Sequence, residues 1–125
     1  KYYRETTDFF EIMTQKILAR CEFMRTAPDE YLFSIRALFA EPLEIREATG
    51  KSYKEVYEDA AGELLGSVDL SVFRPGVDVG MLLEEIDSYL FHSLWQMLSA
   101  GKLDPDGLER DFLKRVGQWR IAYLK

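Results

Sequence analysis

Residues 78–101 read DVGMLLEEIDSYLFHSLWQMLSAG, and this stretch decides the fold. Asp78 is a residue type that caps helix N-termini, and Gly101 is the type that ends helices. Between them, apolar residues at steps of three and four form one stripe: Val79, Leu82, Leu83, Ile86, Leu90, Leu94 and Met97. Further apolar residues widen the stripe well beyond one face: Met81, Tyr89, Phe91, Trp95 and Leu98. A helix that is apolar nearly all round is usually buried between other elements, so in a chain this small the pattern predicts covering by a second subunit.

Helical spacing of apolar residues continues on both sides of this helix, and no period-two strand pattern is present. On the N-terminal side the spacing predicts helices over residues 2–25, 29–40 and 52–66, with a short helix at 43–48. On the C-terminal side an Asp-Pro start signal opens a last helix over 105–124. The short link before it makes the last two helices an antiparallel hairpin. We therefore predict an all-α fold, an antiparallel bundle of five to six helices, in a single domain of 125 residues.

The connector before the fourth main helix, residues 67–76, contains a Pro-Gly turn signal. Its apolar residues Leu70 and Phe73 are expected to pin the loop to the core. Arg74 stands directly before the proline. An arginine in this position more often anchors a loop carbonyl or carboxylate than a ligand, so we predict an anchoring role for it.

Charge and composition exclude several classes of protein. The chain has 22 acidic and 16 basic side chains, a formal net charge of −6. A domain that grips nucleic-acid phosphates is expected to be basic, so these residues alone are not predicted to bind DNA. No apolar run is long enough to predict a membrane span. The single cysteine permits no internal disulfide, which favours a cytoplasmic location, and we predict that Cys21 is buried and inert.

The sequence contains no motif for catalysis: no phosphate loop, no dinucleotide turn, no Cys-x-x-Cys and no His-Glu-x-x-His. A single histidine and a single cysteine argue against a soft-ligand metal site. Neighbouring carboxylates are typical of solvated helix faces rather than acid–base pairs. We therefore predict no enzymatic activity, no cofactor and no metal. His92 has two interpretations, a structural hydrogen bond across a dimer interface or a polar contact to a ligand.

Residues 72–79, VFRPGVDV, resemble the loop before the penultimate helix of many TetR-family transcriptional regulators. The order of the predicted elements is also similar to that family's C-terminal domain: a long first helix, a shorter second, a brief third, a capped fourth, the connector and two long final helices. The resemblance covers the whole chain, and its sharpest part is this connector.

The resemblance implies a regulatory domain of a repressor. Members of the family bind operator DNA as dimers through an N-terminal helix-turn-helix, and their last two helices form a four-helix bundle with those of the partner. A ligand in the core shifts the first helix of the domain and so changes the spacing of the two DNA readers. Here that lever would be Tyr2–Arg25, and the dimer helices would be Asp78–Ala100 and Pro105–Leu124. Because the chain starts at Lys1 without a leader, we expect a longer protein whose missing N-terminal domain contacts the operator.

The inward faces provide candidate site residues for this function. We expect a small hydrophobic effector to be bound by ten of them: Phe10, Met13, Ile17, Ile35, Phe39, Tyr57, Ala61, Leu64, Ile86 and Leu90. We expect the homodimer interface to contain seven residues of the last two helices: Tyr89, His92, Trp95, Phe112, Val116, Trp119 and Tyr123. The alternative is a helical protein-interaction module with a solid core and no ligand. A void of several hundred cubic ångströms between the first, third and fourth helices would favour sensing.

Overall fold

The structure, a computed structural model, describes residues 5–40 and 53–125, and these residues form five α-helices and one short 3₁₀ turn. The helices are α1 (Phe9–Thr26), α2 (Pro28–Ala40), α3 (Tyr53–Ser67), α4 (Val79–Ala100) and α5 (Pro105–Tyr123), and the 3₁₀ turn spans Leu70–Val72. The predicted all-α class is confirmed, and the described residues contain no strand. The short helix predicted at 43–48 and the capping residue Ser52 lie outside the described ranges. None of the helices in these ranges is long and apolar enough to cross a membrane.

Aspartate caps set the start of three helices. The Asp78 and Asp104 side chains accept hydrogen bonds from the backbone N–H groups of Met81 and Gly107, both at 3.0 Å, as the sequence predicts. The start predicted for the first helix is wrong, because α1 begins at Phe9 rather than near Tyr2. Asp8 is non-helical, and its side chain accepts a hydrogen bond from the N–H of Glu11 at 3.1 Å. A short polar side chain that bonds the backbone in this way competes with continuation of the helix.

Helix α1 packs antiparallel to α5 along its length, and this pair organises the core. Arg25 near the end of α1 reaches Asp106 at 2.7 Å, whereas Asp8 at its start bonds Arg120 at 3.2 Å. Between these ion pairs the predicted inward stripe of α1 is buried at every position: Phe10, Met13, Ile17, Cys21 and Met24. The periodic stripe was therefore sufficient to predict which face of α1 is inward.

The connector is held at the junction of α1 and α5, at the end where α5 terminates. Phe73 is buried and its ring lies 5.9 Å from each of the Phe9 and Phe10 rings. Leu70 is 48% exposed, so the prediction that it pins the loop is wrong. Backbone hydrogen bonds hold the loop in place instead, since the N–H of Arg74 donates to the carbonyl of Tyr123 at 2.9 Å. Backbone hydrogen bonds to residues at the end of α5 therefore hold this loop together with one buried apolar residue, Phe73.

Arg74 anchors carbonyl groups, as predicted. Its Nε donates to the carbonyl of Leu124 at 2.8 Å, and its Nη2 donates to that of Ile121 at 3.0 Å. These carbonyls belong to the last turn of α5, whose oxygens have no partner within the helix. The guanidinium also carries positive charge to the negative end of the helix dipole.

We expect Arg74→Ala to lower the free energy of unfolding by about 1 kcal/mol, because two charge-assisted hydrogen bonds at a solvated site are lost. Urea unfolding followed by circular dichroism measures the change. The control is Arg110→Ala, since Arg110 is an exposed arginine elsewhere on α5 and its loss is expected to change stability by less than about 0.5 kcal/mol. Equal effects of the two substitutions would contradict the anchoring role.

Cys21 is fully buried on α1, and burial raises the pKa of its thiol to about 11. The thiolate is the reactive form of cysteine. We therefore expect no reaction of the folded chain with Ellman's reagent at about pH 8, and complete reaction after denaturation in guanidinium. One equivalent of rapid reaction under native conditions would show that Cys21 is accessible, contrary to its position here.

Candidate functional site

A pocket of about 200 Å³ lies between α1, α3 and α4, and we call it the α1–α3–α4 pocket. This is the position at which the sequence predicts an effector site. Each helix supplies one part of the wall. The lining residues are Met13, Lys16, Ile17 and Arg20 of α1, Tyr57, Ala60, Ala61 and Leu64 of α3, and Leu83, Asp87 and Leu90 of α4.

The pocket has one apolar end and one polar end because α3 and α4 run antiparallel. At one end of the helix pair Leu65 approaches Gly80, where a Cβ built on the glycine would lie 3.7 Å from Leu65 Cδ1. At the other end the Tyr57 hydroxyl lies near the Asp87 carboxylate and acts on its pKa. The register places Leu64 and Leu83 towards the first end. Tyr57 and Asp87 are therefore separated along the pocket from Leu64 and Leu83, whereas Leu90 lies about one turn beyond Asp87.

Asp87 is the acidic residue of the lining, and its environment disfavours its charge. Burial raises the pKa of the Asp87 carboxyl above its ordinary value. The nearby Tyr57 hydroxyl and the positive charges of Lys16 and Arg20 lower the pKa, but they only partly offset the burial. An ionised carboxylate at neutral pH here is held at a cost to folding.

We expect Asp87→Asn to stabilise the fold at pH 7, because the amide is of similar size and has no charge to dehydrate. The folded-state pKa lies above the unfolded one, so the wild-type protein loses stability as pH rises through the folded value. The advantage of the variant should therefore vanish at about pH 3, where the carboxyl is protonated in both states. Urea midpoints at the two pH values measure this. Glu85→Gln, an exposed change on the same helix, is the control, and a lower midpoint for Asp87→Asn at pH 7 would contradict the assignment.

Lys16 and Arg20 stand one helical turn apart on α1 and bring two positive charges to the pocket. Lys16 is exposed, whereas Arg20 is half-buried and donates from Nη1 to the Tyr31 hydroxyl at 2.9 Å. Among the residues that the structure describes, no carboxylate lies within ion-pair distance of either cation. Both charges are thus available to a ligand at the polar end.

A second, open groove of about 630 Å³ lies between α1 and α2 on the other side of these cations. It shares Lys16 and Arg20 with the α1–α3–α4 pocket, and its aromatic wall is formed by Phe23 and Tyr31, whose rings are 5.3 Å apart. The two cations are therefore shared by the smaller α1–α3–α4 pocket and a wider surface groove.

The structure brings together six of the ten predicted effector residues. Those that line the pocket are Met13, Ile17, Tyr57, Ala61, Leu64 and Leu90. The other four do not line this pocket. Phe10, Ile35 and Ile86 are fully buried in the core. The Phe39 ring packs against those of Phe91 at 5.8 Å and Trp95 at 5.6 Å. An apolar stripe identifies inward side chains, but it does not distinguish those that face a void.

Sequence reasoning did not identify the charged members of the lining. Lys16 directly precedes Ile17, and Asp87 directly follows Ile86. Both isoleucines are buried residues of an apolar stripe. Arg20 similarly precedes Cys21. Charged residues that flank an inward stripe on two different helices are the signal that could have found them, although such residues are also common on ordinary solvated edges.

The seven predicted interface residues lie in three environments. Phe112 and Val116 are buried within the core of the single chain and are not on its surface, unlike the predicted interface positions His92 and Trp95. Tyr89, Trp119 and Tyr123 are half-buried in contacts between elements of the same chain. His92 and Trp95 are exposed on α4.

Tyr89 of α4 makes three contacts with residues of α5 in the same chain. Its hydroxyl donates to the Asp111 carboxylate, and the Arg115 guanidinium lies 4.4 Å from the centre of its ring. Arg115 also donates to Asp111 at 2.9 Å. Trp119 completes the cluster with its ring 6.5 Å from that of Tyr89. These contacts join α4 to α5 within one chain.

The exposed apolar residues of the hairpin define an outer face of α4 and α5. Met81 and Trp95 of α4 are 58% and 53% exposed, and Ile121 of α5 is 69% exposed. His92 lies on the same side of α4 as the first two. Exposed large apolar residues grouped on one helix pair mark a candidate interaction surface.

The chemistry of the α1–α3–α4 pocket is that of binding: apolar walls with one carboxylate, one phenol and two cations at one end. Over residues 5–40 and 53–125, no three histidine, cysteine or acidic side chains are grouped as metal ligands. No family model matches the chain, and neither the curated proteins nor the solved structures contain a match to it.

Proposed function

We propose that the chain is the effector-binding and dimerisation domain of a TetR-type transcriptional repressor in the cytoplasm. The observation that carries the proposal is the α1–α3–α4 pocket, because it is lined by α1, the helix that would move the DNA reader. A small hydrophobic effector would bind there. Operator DNA would be contacted only by an N-terminal domain outside these 125 residues, in keeping with their net charge of −6.

The packing of α1 provides a route from ligand to partner. Four lining residues of the pocket belong to α1: Met13, Lys16, Ile17 and Arg20. The opposite side of α1 is tied to α5 by the ion pairs of Arg25 with Asp106 and of Asp8 with Arg120. A ligand that displaces α1 would therefore also displace α5, which is proposed to lie in the dimer interface. Effector binding would in this way be linked to the geometry of the dimer.

The outer face of α4 and α5 suits a second copy of the chain. Trp95 of α4 and Ile121 of α5 are both more than half exposed in the single chain. A two-fold axis perpendicular to the helices would bury such residues between the two protomers.

A second candidate is a protein-interaction module without an effector. It is favoured by the volume of the pocket, about 200 Å³, which is below the roughly 300–1,000 Å³ of sites for drug-sized ligands. It is also favoured by Phe33 of α2, which is 73% exposed. The two candidates differ in whether the pocket binds anything.

Cavity filling tests the ligand-binding function. Methyl resonances of the 125-residue chain are followed by NMR during titration with toluene, a small apolar probe. We expect saturable shifts at Leu64, Leu83 and Leu90, and loss of these shifts in Ala61→Phe, whose added ring occupies the pocket. Ala37→Phe on the exposed side of α2 is the matched control. Absence of saturable shifts, or shifts unchanged by Ala61→Phe, would favour the interaction module.

A further inference from the structure

We infer that the α1–α3–α4 pocket binds a small apolar zwitterion, of which a free α-amino acid with an apolar side chain is the simplest example. The inference rests on the proposed ligand-binding function and specifies the chemical class of the ligand. It depends on three properties of the pocket: its volume, the separation of its two ends, and the set of charges at its polar end.

The volume limits the apolar part of the ligand. An apolar cavity of about 150 Å³ accommodates one benzene molecule. The pocket of about 200 Å³ therefore fits a single ring or a branched chain with a few polar atoms. Met13, Ile17, Leu64, Leu83 and Leu90 provide the apolar contacts for such a group.

The charges at the polar end determine the head group. One carboxylate, Asp87, faces two cations, Lys16 and Arg20, so the site has a net charge of +1 when all three are ionised. A ligand with only a positive charge would pair with Asp87 but face both cations. A ligand with only a negative charge would pair with the cations but face Asp87. An ammonium and a carboxylate on adjacent atoms satisfy both sets of groups.

The present partners of these groups leave room for the ligand's contacts. Arg20 donates from Nη1 to the Tyr31 hydroxyl, and its other guanidinium N–H groups remain to bind a carboxylate. Lys16 is one helical turn away and adds a second donor. Asp87 lines the pocket as a carboxylate, and its two oxygens offer acceptor sites for an ammonium group. A neutral apolar molecule would make only the apolar contacts and leave these charges without a partner, so we expect it to bind more weakly than a zwitterion.

Four probes with the same phenyl body separate the classes. L-phenylalanine carries both charges, 2-phenylethylamine only the ammonium, 3-phenylpropionate only the carboxylate, and toluene neither. Titration calorimetry at pH 7 is expected to give a Kd below about 1 mM for phenylalanine and values at least about tenfold higher for the other three. L-leucine, as a second zwitterion, is expected to bind in the same range as phenylalanine.

Variants assign the contacts. Asp87→Asn and Arg20→Gln are each expected to weaken phenylalanine binding by at least about tenfold, because each removes one charged partner. Arg36→Gln is the matched control, since Arg36 is an exposed arginine of α2 outside the pocket lining. Asp87→Asn is expected to be more stable than wild type, so loss of binding by this variant cannot be attributed to unfolding.

The outcomes separate the ligand class from the ligand-binding function itself. Equal binding of phenylethylamine or phenylpropionate and phenylalanine overturns the zwitterion, although the pocket remains a ligand site. Binding of toluene alone, abolished by Ala61→Phe, also overturns the zwitterion and retains a purely hydrophobic effector. Failure of all five compounds to bind overturns both the zwitterion and the ligand-binding function.

Discussion

Replacing Phe112 with alanine is expected to lower the free energy of unfolding by about 3–5 kcal/mol. The side chain is completely buried, with its ring 5.7 Å from that of Trp119 and 6.2 Å from that of Tyr89. Removal of the ring loses its burial and leaves a cavity that these neighbours fill only in part. Because domains of this size are stable by about 5–15 kcal/mol in total, the variant should be close to unfolding at room temperature.

Urea unfolding followed by circular dichroism measures this loss, and the adjacent residue provides the control. Leu113 is 44% exposed on the same helix, and Leu113→Ala is expected to cost less than about 1 kcal/mol. The loss for Phe112→Ala should be the same at low and high protein concentration, because it arises within one chain. A loss that disappears on dilution would instead place Phe112 in an interface between copies.

Replacing Ile121 with glutamate is expected to convert a dimer into a monomer with unchanged helix content. Ile121 lies on the outer face of α4 and α5 and is 69% exposed in the single chain, so the substitution does not disturb the core. In a two-fold dimer the change occurs twice, and each carboxylate would be dehydrated in the interface. We expect the dissociation constant to rise by at least about 100-fold, or about 3 kcal/mol.

Sedimentation velocity at micromolar concentration tests this expectation. Phe33→Glu is the control, because Phe33 is equally exposed but lies on α2, and the variant should remain dimeric. A monomeric wild-type chain would contradict the dimer, and a dimeric Ile121→Glu variant would exclude this face. Trp119→Glu, which the sequence pattern suggests for the same purpose, is not a clean test, because Trp119 packs against Phe112 and its replacement would destabilise the fold.

The helices and their inward faces were predictable because they depend on local properties of the chain. The caps at Asp78, Asp104 and Gly101 and the buried stripe of α1 appear where the sequence places them. Side chains project from a helix at a fixed angle per residue, so an apolar period identifies the buried side without any knowledge of other helices. The start of α1 was predicted wrongly, because the side chains of Thr6 and Asp8 accept hydrogen bonds from backbone N–H groups before the helix begins.

Other properties depend on which helix lies opposite each face, and only the tertiary structure decides them. Phe112 and Trp119 both belong to the apolar stripe predicted for the last helix, but the other helices of the same chain cover the first completely and the second only in part. Similarly, Ile86 fills the core whereas Leu90, one turn later, borders a void. A helical period gives the direction of a side chain about its own axis. Whether that direction meets a packed neighbour, a cavity with Asp87 in its wall, or solvent depends on the spacing between helices, which is set by long-range contacts.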